Sequence, residues 1–268
     1  MAKSTTNGKN RINPVRTAVA VLIVVFVASV IFNACRPNLA AKVDESAMEA
    51  NVKAISEQQT ADVATIEKEV KHLDAIDARR NAANMVAAYR RMFSSSVILG
   101  DSLTEGLTVY GWLPSSVVFA QVGGSIVYGD DVFAKAARTK PEYAFFAFGM
   151  NDMGNFSCDS EAFINKYTKL LKQFKKISPD TTILVNSISE PTKEARKYNK
   201  SIRHYKEFNK AIKKMCKKHK YTYVYITDIL PANKDLYAGD GIHAAPDYYP
   251  MWMDRMIKAA GLSTNLRK

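Results

Sequence analysis

Hydrophobic positions along the chain follow three different patterns, and each pattern marks a separate region. Residues 17–32 form an apolar run that no charge interrupts. Residues 37–92 contain no glycine and are rich in alanine, glutamate, lysine and glutamine, which are strong helix formers. From residue 94 onward, short apolar runs alternate with amphipathic segments. These patterns predict a basic tail (1–16), a transmembrane span (17–34), a helical stalk (35–92) and a globular domain (93–268).

The alternating pattern of the domain predicts a parallel sheet that is covered by helices on both faces. Strands are expected at 97–99, 116–120, 143–148, 182–187 and 221–226, and helices at 132–138, 161–177, 200–218 and 247–260. Ligands of such sheets bind at the carboxyl ends of the strands. Residues that directly follow a predicted strand are therefore the first candidates for function.

The apolar span follows a basic segment that contains Lys3, Lys9, Arg11 and Arg16 and no acidic residue. A basic flank stays in the cytoplasm, so the pattern predicts a single-pass signal anchor in the cell membrane with the domain outside. A cleaved signal, giving a secreted protein, and a lipoprotein signal ending at Cys35 remain open. Each of the three alternatives places the domain outside the cytoplasm.

The net charge of +12, from 38 Lys and Arg against 26 Asp and Glu, favours polyanionic neighbours. These could be nucleic acid, anionic lipid or an acidic wall polymer, and export argues against nucleic acid. A lysine-rich stretch near 213–220 is either a solvated helix face or a surface that attracts wall polymer or lipid headgroups. The three cysteines have no metal-ligand spacing with histidine, so no metal site is expected.

Four short blocks follow the predicted strands, and together they contain the groups that acyl transfer requires. The blocks are Gly100-Asp101-Ser102-Leu103, Gln121-Val122-Gly123-Gly124-Ser125, Gly149-Met150-Asn151-Asp152 and Asp240-Gly241-Ile242-His243. A serine hydroxyl is a weak nucleophile that needs an adjacent base. His243 can act as that base for Ser102, and Asp240 can hold the other ring nitrogen.

The tetrahedral oxyanion of acyl transfer needs several preorganised hydrogen-bond donors. The backbone N–H groups of Ser102 and Gly124 and the side-chain amide of Asn151 are the predicted donors, with Gly123 as an alternative to Gly124. Asp101 and Asp152 are expected to support the loops through hydrogen bonds to the backbone.

The four blocks resemble those of the SGNH (GDSL) hydrolases, a family named for a Ser, a Gly, an Asn and a His in separate blocks. The first block resembles the nucleophile block, the third resembles GxND, and the fourth resembles DxxH, over about residues 94–262. The second block is the loosest match. The resemblance implies a three-layer α/β/α sandwich with a five-stranded parallel sheet, similar to flavodoxin, and ester hydrolysis without a metal or organic cofactor.

The expected function is therefore serine ester hydrolysis outside the cytoplasm. Its substrate is expected to be an O-acetylated envelope glycan, either a polysaccharide or peptidoglycan. A lipase or short-chain acyl esterase, an O-acyltransferase and an inactive glycan-binding domain are the alternatives.

Overall fold

The computed structural model describes residues 22–27, 29–30 and 45–262. The chain divides into two compact units, residues 1–72 and 73–268. This division falls before the predicted domain start at residue 93.

The first unit contains the predicted tail, the predicted span and most of the stalk. The tail (1–16) lies outside the described residues, as do most of the span and the first ten residues of the stalk. Residues 22–27 and 29–30, within the span, are helical. Within the described part of the chain, no helix has both the length and the apolar character that crossing a membrane requires.

A single helix, α1 (Glu45–Met92), accounts for the described part of the stalk. In the first unit, Val63 and Ile66 are exposed on it. In the second unit, Tyr89 and the following Phe93 are buried, and the Tyr89 hydroxyl donates to a carboxylate oxygen of Asp254 over 2.9 Å. The last turns of α1 thus belong to the globular domain.

The sheet of the second unit has five parallel strands in the order β2-β1-β3-β4-β5, which confirms the predicted sheet. The strands are β1 (Ser96–Gly100), β2 (Val118–Ala120), β3 (Tyr143–Ala147), β4 (Thr182–Asn186) and β5 (Thr222–Val224). Gly100 pairs with Ala120 on one side and Ala147 on the other, so three strands end side by side. Every residue of β1 is buried, as expected for a central strand of a parallel sheet.

The helices of the second unit alternate with the strands. After α1 they are α2 (Ser102–Val109), α3 (Asp130–Arg138), α4 (Asp152–Asn155), α5 (Ser160–Ile177), α6 (Lys193–Tyr198), α7 (Tyr205–His219), α8 (Ile229–Ala232) and α9 (Tyr248–Ala260), with 3-10 turns at Ile126–Tyr128, Ser201–His204 and Lys234–Leu236. The helix predicted at 200–218 begins as a 3-10 turn and continues as α7.

Successive residues of the strands point to opposite faces of the sheet and build two hydrophobic cores. Leu99 and Phe146 pack with α3, α5 and α7 on one face. Ile98 and Phe145 pack with α2, α9 and the end of α1 on the other. Truncating a buried phenylalanine to alanine typically costs about 3–5 kcal/mol, so both cores contribute substantially to holding the strand ends in place. The result is the predicted three-layer α/β/α arrangement.

Candidate active site

Ser102 lies at the sharp turn between β1 and α2. The carboxylate of Asp101 accepts a hydrogen bond from the Leu103 N–H over 3.1 Å and caps the helix. A side chain at Gly100 would come within 1.9 Å of the Thr104 hydroxyl, so the turn requires a glycine there. Ser102 is thereby held at the start of a helix, where the first N–H groups have no intrahelical acceptor and carry a partial positive charge.

His243 and Asp240 lie together in the loop before α9. One Asp240 carboxylate oxygen accepts from the N–H groups of Ile242 and His243, each over 2.9 Å. The other oxygen lies 2.5 Å from His243 Nδ1. Gly241, with φ +70°, has no room for a side chain because a Cβ would lie 2.1 Å from the Thr192 hydroxyl. The short loop therefore sets the orientation of the imidazole.

The fold brings this loop to the nucleophile turn. Ser102 Oγ lies 2.8 Å from His243 Nε2, although 141 positions separate the two residues in sequence. Ser102, His243 and Asp240 thus form one continuous hydrogen-bonded chain. Burial alone would raise the pKa of Asp240, but the hydrogen bonds from His243 and from the backbone lower it below its usual value. A charged Asp240 favours the tautomer with a proton on Nδ1, which leaves Nε2 free to accept the serine proton.

Gly124 lies against the nucleophile turn, as a donor to a developing oxyanion must. A Cβ at Gly124 would lie 2.9 Å from the Gly100 carbonyl oxygen, so only a glycine allows this approach. Its N–H, however, donates to the Gln121 carbonyl over 3.0 Å. Gly123 is exposed and has a φ of +71°.

Asn151 belongs to the same cluster. Its side-chain amide donates to the Gly124 carbonyl oxygen over 3.0 Å. An amide nitrogen carries two hydrogens, so one donor of Asn151 remains for a substrate.

Two buried aspartates lie beneath these groups. Asp152 Oδ1 accepts from the Ser125 hydroxyl over 2.6 Å and from the Ile126 N–H over 2.9 Å. Burial raises the pKa of Asp152 to about 6, although these hydrogen bonds act to lower it. Burial, with a smaller contribution from the charge of Asp152, raises the pKa of Asp101 to about 7. Both side chains accept hydrogen bonds from loop backbone, Asp101 from Leu103 and Asp152 from Ile126.

A small apolar pocket of about 30 Å³ opens beside Ser102 and His243. Its apolar lining comes mainly from residues that follow strands: Leu103, Phe148, Met150, Ile188, Ile226 and Ile242. Ile188 and Ile226 were not predicted as site residues, although both stand just after a predicted or observed strand end. The roles of Ser125 and Thr192 were not predicted either, because they depend on contacts with distant loops.

Within the described residues, no group of three or more His, Cys, Asp or Glu side chains is arranged to hold a metal ion. Cys158 and Cys216 are free thiols, and burial raises the pKa of Cys216 to about 12.

The model of the GDSL-like lipase/acylhydrolase family matches residues 98–249, which is more than half of the chain and includes all four blocks. No curated protein matches the chain in sequence.

Solved structures with a similar fold come from several organisms. One from Streptococcus pneumonia, described provisionally as a platelet activating factor, has 17% identity and a TM-score of 0.50 and covers 69% of this chain and 97% of its own. An acetylxylan esterase from Geobacillus stearothermophilus has 12% identity and a TM-score of 0.49, covering 63% and 94%. A carbohydrate esterase of family 3 from Talaromyces cellulolyticus has 18% identity and a TM-score of 0.47, covering 62% and 96%. At such identities the likeness concerns the fold.

Proposed function

Because the chain belongs to the GDSL-like lipase/acylhydrolase family and is a serine ester hydrolase, we propose that it removes acetyl groups from an O-acetylated cell-envelope glycan. The observation that carries the proposal is the hydrogen-bonded chain from Ser102 through His243 to Asp240 beside a pocket of about 30 Å³. The three hydrogen-bonded side chains carry out the reaction, and the pocket limits the length of the acyl group.

The reaction proceeds in two steps through an acyl-enzyme. Ser102 Oγ attacks the ester carbonyl while His243 Nε2 takes the hydroxyl proton, and Asp240 stabilises the imidazolium that forms. The bond between the acyl carbon and the sugar oxygen then breaks, His243 gives its proton to that oxygen so that it leaves as a hydroxyl, and an acetyl–Ser102 ester remains. Water attacks this ester with His243 again as base, and acetate leaves. Ser102 N–H, the amide of Asn151 and a glycine N–H from 123–124 stabilise the oxyanion, and each donor contributes about 10²–10³ in rate.

The size of the pocket favours a short acyl group. A cavity holds one water molecule once about 10–15 Å³ is accessible to it, and this pocket, at about 30 Å³, has room for only a few heavy atoms. The methyl of an acetyl group fits such a space, whereas an octanoyl chain does not. The lining is mostly hydrophobic, which suits a methyl group and not a charged acid.

The sequence before the domain supports an envelope substrate. The uncharged apolar run at 17–32 follows four basic residues, which is the pattern of a signal anchor that sends the following chain outward. A membrane-anchored esterase outside the cytoplasm lies beside the envelope glycans, whose O-acetyl groups are esters of a short acid. Protease added to intact cells should then remove the domain, and a domain that resists digestion until the cells are lysed would contradict this location.

Acetate release from isolated envelope glycan tests the substrate. The full-length chain should release acetate, Ser102→Ala should abolish the release, and Ser116→Ala should not, since Ser116 is exposed and outside the site. Glycan that yields no acetate to an enzyme that still cleaves nitrophenyl acetate would exclude this substrate and leave the esterase assignment intact.

Acyl-chain preference tests the pocket. Nitrophenyl acetate should exceed nitrophenyl octanoate by at least about 100-fold in kcat/KM. Ile226→Val should raise the ratio of propanoyl to acetyl hydrolysis. Ile229→Val is the matched control because Ile229 is buried in the same core but does not line the pocket. A preference for octanoate would favour a lipase instead.

A further inference from the structure

A large groove lies between α5 and α7 on one face of the sheet. Its volume is about 950 Å³, at the upper end of the range for ligand sites, about 300–1,000 Å³. Lysines from both helices line it: Lys169, Lys172 and Lys176 from α5, and Lys214 and Lys218 from α7. Glu161 is the one acidic residue of the lining. We call this feature the basic groove.

The lysines of the basic groove have no acidic partner in the part of the chain that the structure describes. The ion pairs found there use other residues, such as Lys166 with Asp130. This unpaired positive charge affects the pKa of His219, which lies at the end of the groove. Burial lowers its pKa, and the charges of Lys172 and Lys218 lower it further. Positive charge in the groove is therefore not compensated within the domain.

Helix stability accounts for only some of these lysines. Lys176 and Lys218 lie in the last turns of their helices, where a cation interacts favourably with the helix dipole. Lys169, Lys172 and Lys214 lie before the last turn. A solvated helix face usually mixes lysine with glutamate at i, i+4 spacing, but α5 and α7 carry glutamate only in their first turns.

We infer that the basic groove binds a linear anionic polymer whose repeating charges are phosphodiester groups. Lys169, Lys172 and Lys176 succeed one another at three and four residues, which places charges about 4.5 and 6 Å apart along the helix. Lysine is a compact, mobile point charge and binds phosphate without needing the planar geometry of a carboxylate. The two walls of the groove present lysines on both sides of a bound chain, whereas a flat membrane surface would contact them from one side only.

Recognition in the basic groove depends on charge. Its lining contains no Phe, Tyr or Trp, and its one ring, His219, is already stacked on Tyr221. It therefore lacks a row of free stacking surfaces on which nucleic-acid bases are held. The polymer is therefore one that carries phosphate without bases, such as a polyol phosphate.

The basic groove is a docking site separate from the reaction centre. Helix α5 connects two parallel strands, so it runs from the edge that carries Ser102 to the opposite edge of the sheet. Lys169, Lys172 and Lys176 lie between the middle of α5 and its last turn, on the side away from Ser102. A bound polymer therefore holds the enzyme at the envelope and leaves the ester site open.

The test measures binding of the full-length chain to a labelled poly(glycerol phosphate) oligomer by fluorescence anisotropy at several salt concentrations. Lys169→Gln/Lys172→Gln/Lys214→Gln should weaken binding about 100-fold and reduce the slope of log K against log salt by about 2. Lys135→Gln/Lys197→Gln/Lys258→Gln is the matched control, since it removes the same charge from exposed positions outside the groove. Hydrolysis of nitrophenyl acetate should be unchanged in both variants and unaffected by the oligomer.

Two results would overturn the inference. Equal weakening in the two triple variants would mean that net charge alone attracts the polymer. In the second, the wild-type chain would bind phosphatidylglycerol vesicles and not the oligomer, and the groove variant would lose the vesicle binding. This result would assign the lysines to a lipid surface. Neither result depends on what ester the active site cleaves.

Discussion

Two regions at the same edge of the sheet use aspartate in opposite ways. In the loop that carries Asp240 and His243, the two side chains are 47% and 45% exposed, and the pKa of the aspartate is lowered. In the layer beneath it, Asp101 and Asp152 are buried, and burial raises the pKa of each. Solvent and the hydrogen bonds from His243 and the backbone keep Asp240 charged for chemistry, whereas the buried pair holds backbone. Position at the rim does not reveal which role an aspartate has.

The largest effect should come from Asp240→Asn. The amide oxygen can still accept from the N–H groups of Ile242 and His243, so the loop should keep its shape. The amide nitrogen cannot accept the Nδ1 proton of His243, and the imidazole takes the wrong tautomer. We expect kcat for nitrophenyl acetate to fall about 10⁴-fold, with the free energy of unfolding in urea changed by less than about 0.5 kcal/mol. A stability loss comparable to that of a buried substitution would remove the distinction between the two regions.

Asp152→Ala should act mainly on stability, whereas Asp240→Asn acts mainly on catalysis. It leaves the Ser125 hydroxyl and the Ile126 N–H buried without an acceptor, which should lower the free energy of unfolding by about 2–4 kcal/mol. Asp152→Asn keeps the accepting oxygen and should lose less. Urea unfolding followed by circular dichroism measures both. If alanine and asparagine had equal effects, the hydrogen bonds to Oδ1 would not be what Asp152 contributes.

Gly241→Ala tests how tightly the exposed loop is held. A methyl group there would collide with the Thr192 hydroxyl, and the backbone φ of +70° is one that alanine rarely adopts. The loop must therefore shift, and His243 moves away from Ser102. A misplacement of about 1 Å can cost about 10² in rate, and we expect a loss of this size in kcat/KM. Gly239→Ala is the control, because a Cβ at Gly239 has no neighbour within 4 Å. Similar activity in the two variants would show that the loop tolerates displacement.

The effect that is smallest per unit of change is a dependence of stability on pH. Asp101 titrates near 3.8 when unfolded and near 7 when folded. Between these values the folded state holds more protons, so its stability falls as pH rises, by at most about 1.4 kcal/mol per pH unit from this group. Asp101→Asn should remove that contribution, and the stability difference, wild type minus variant, should decline from pH 4 to pH 7 and then level off. A difference that grows over this range would contradict the pKa assigned to Asp101.

Much of the fold follows from local patterns. The strand around Ile98 is a continuous apolar run because both of its faces are buried, and such a run can be recognised without knowing its neighbours. Three of the polar blocks stand just after strands, since parallel strands present their carboxyl ends at one edge. This explains why Ser102 and Asn151 could be assigned to that edge. The block of His243 follows the last strand only after a short helix and a 3-10 turn, so its place depended on the resemblance of the four blocks to the family.

Other contacts could not be predicted, since they depend on packing between distant loops. Thr192 leaves no room for a side chain at Gly241, and the Ser125 hydroxyl donates to Asp152. Neither pair has a sequence spacing that would indicate the contact. The Gly124 N–H is engaged by the Gln121 carbonyl in a turn, which the predicted oxyanion role did not anticipate.

The two ends of the domain must meet for the nucleophile turn to be complete. The Tyr249 hydroxyl of α9 donates to the Leu103 carbonyl across 146 positions, and a side chain at Gly106 would collide with the same ring. While a ribosome is still making this protein, the nascent chain carries its serine but neither the base nor the tyrosine. Esterase activity therefore begins only after residues 243 and 249 have been synthesised, and a product truncated before His243 is inert whatever its stability.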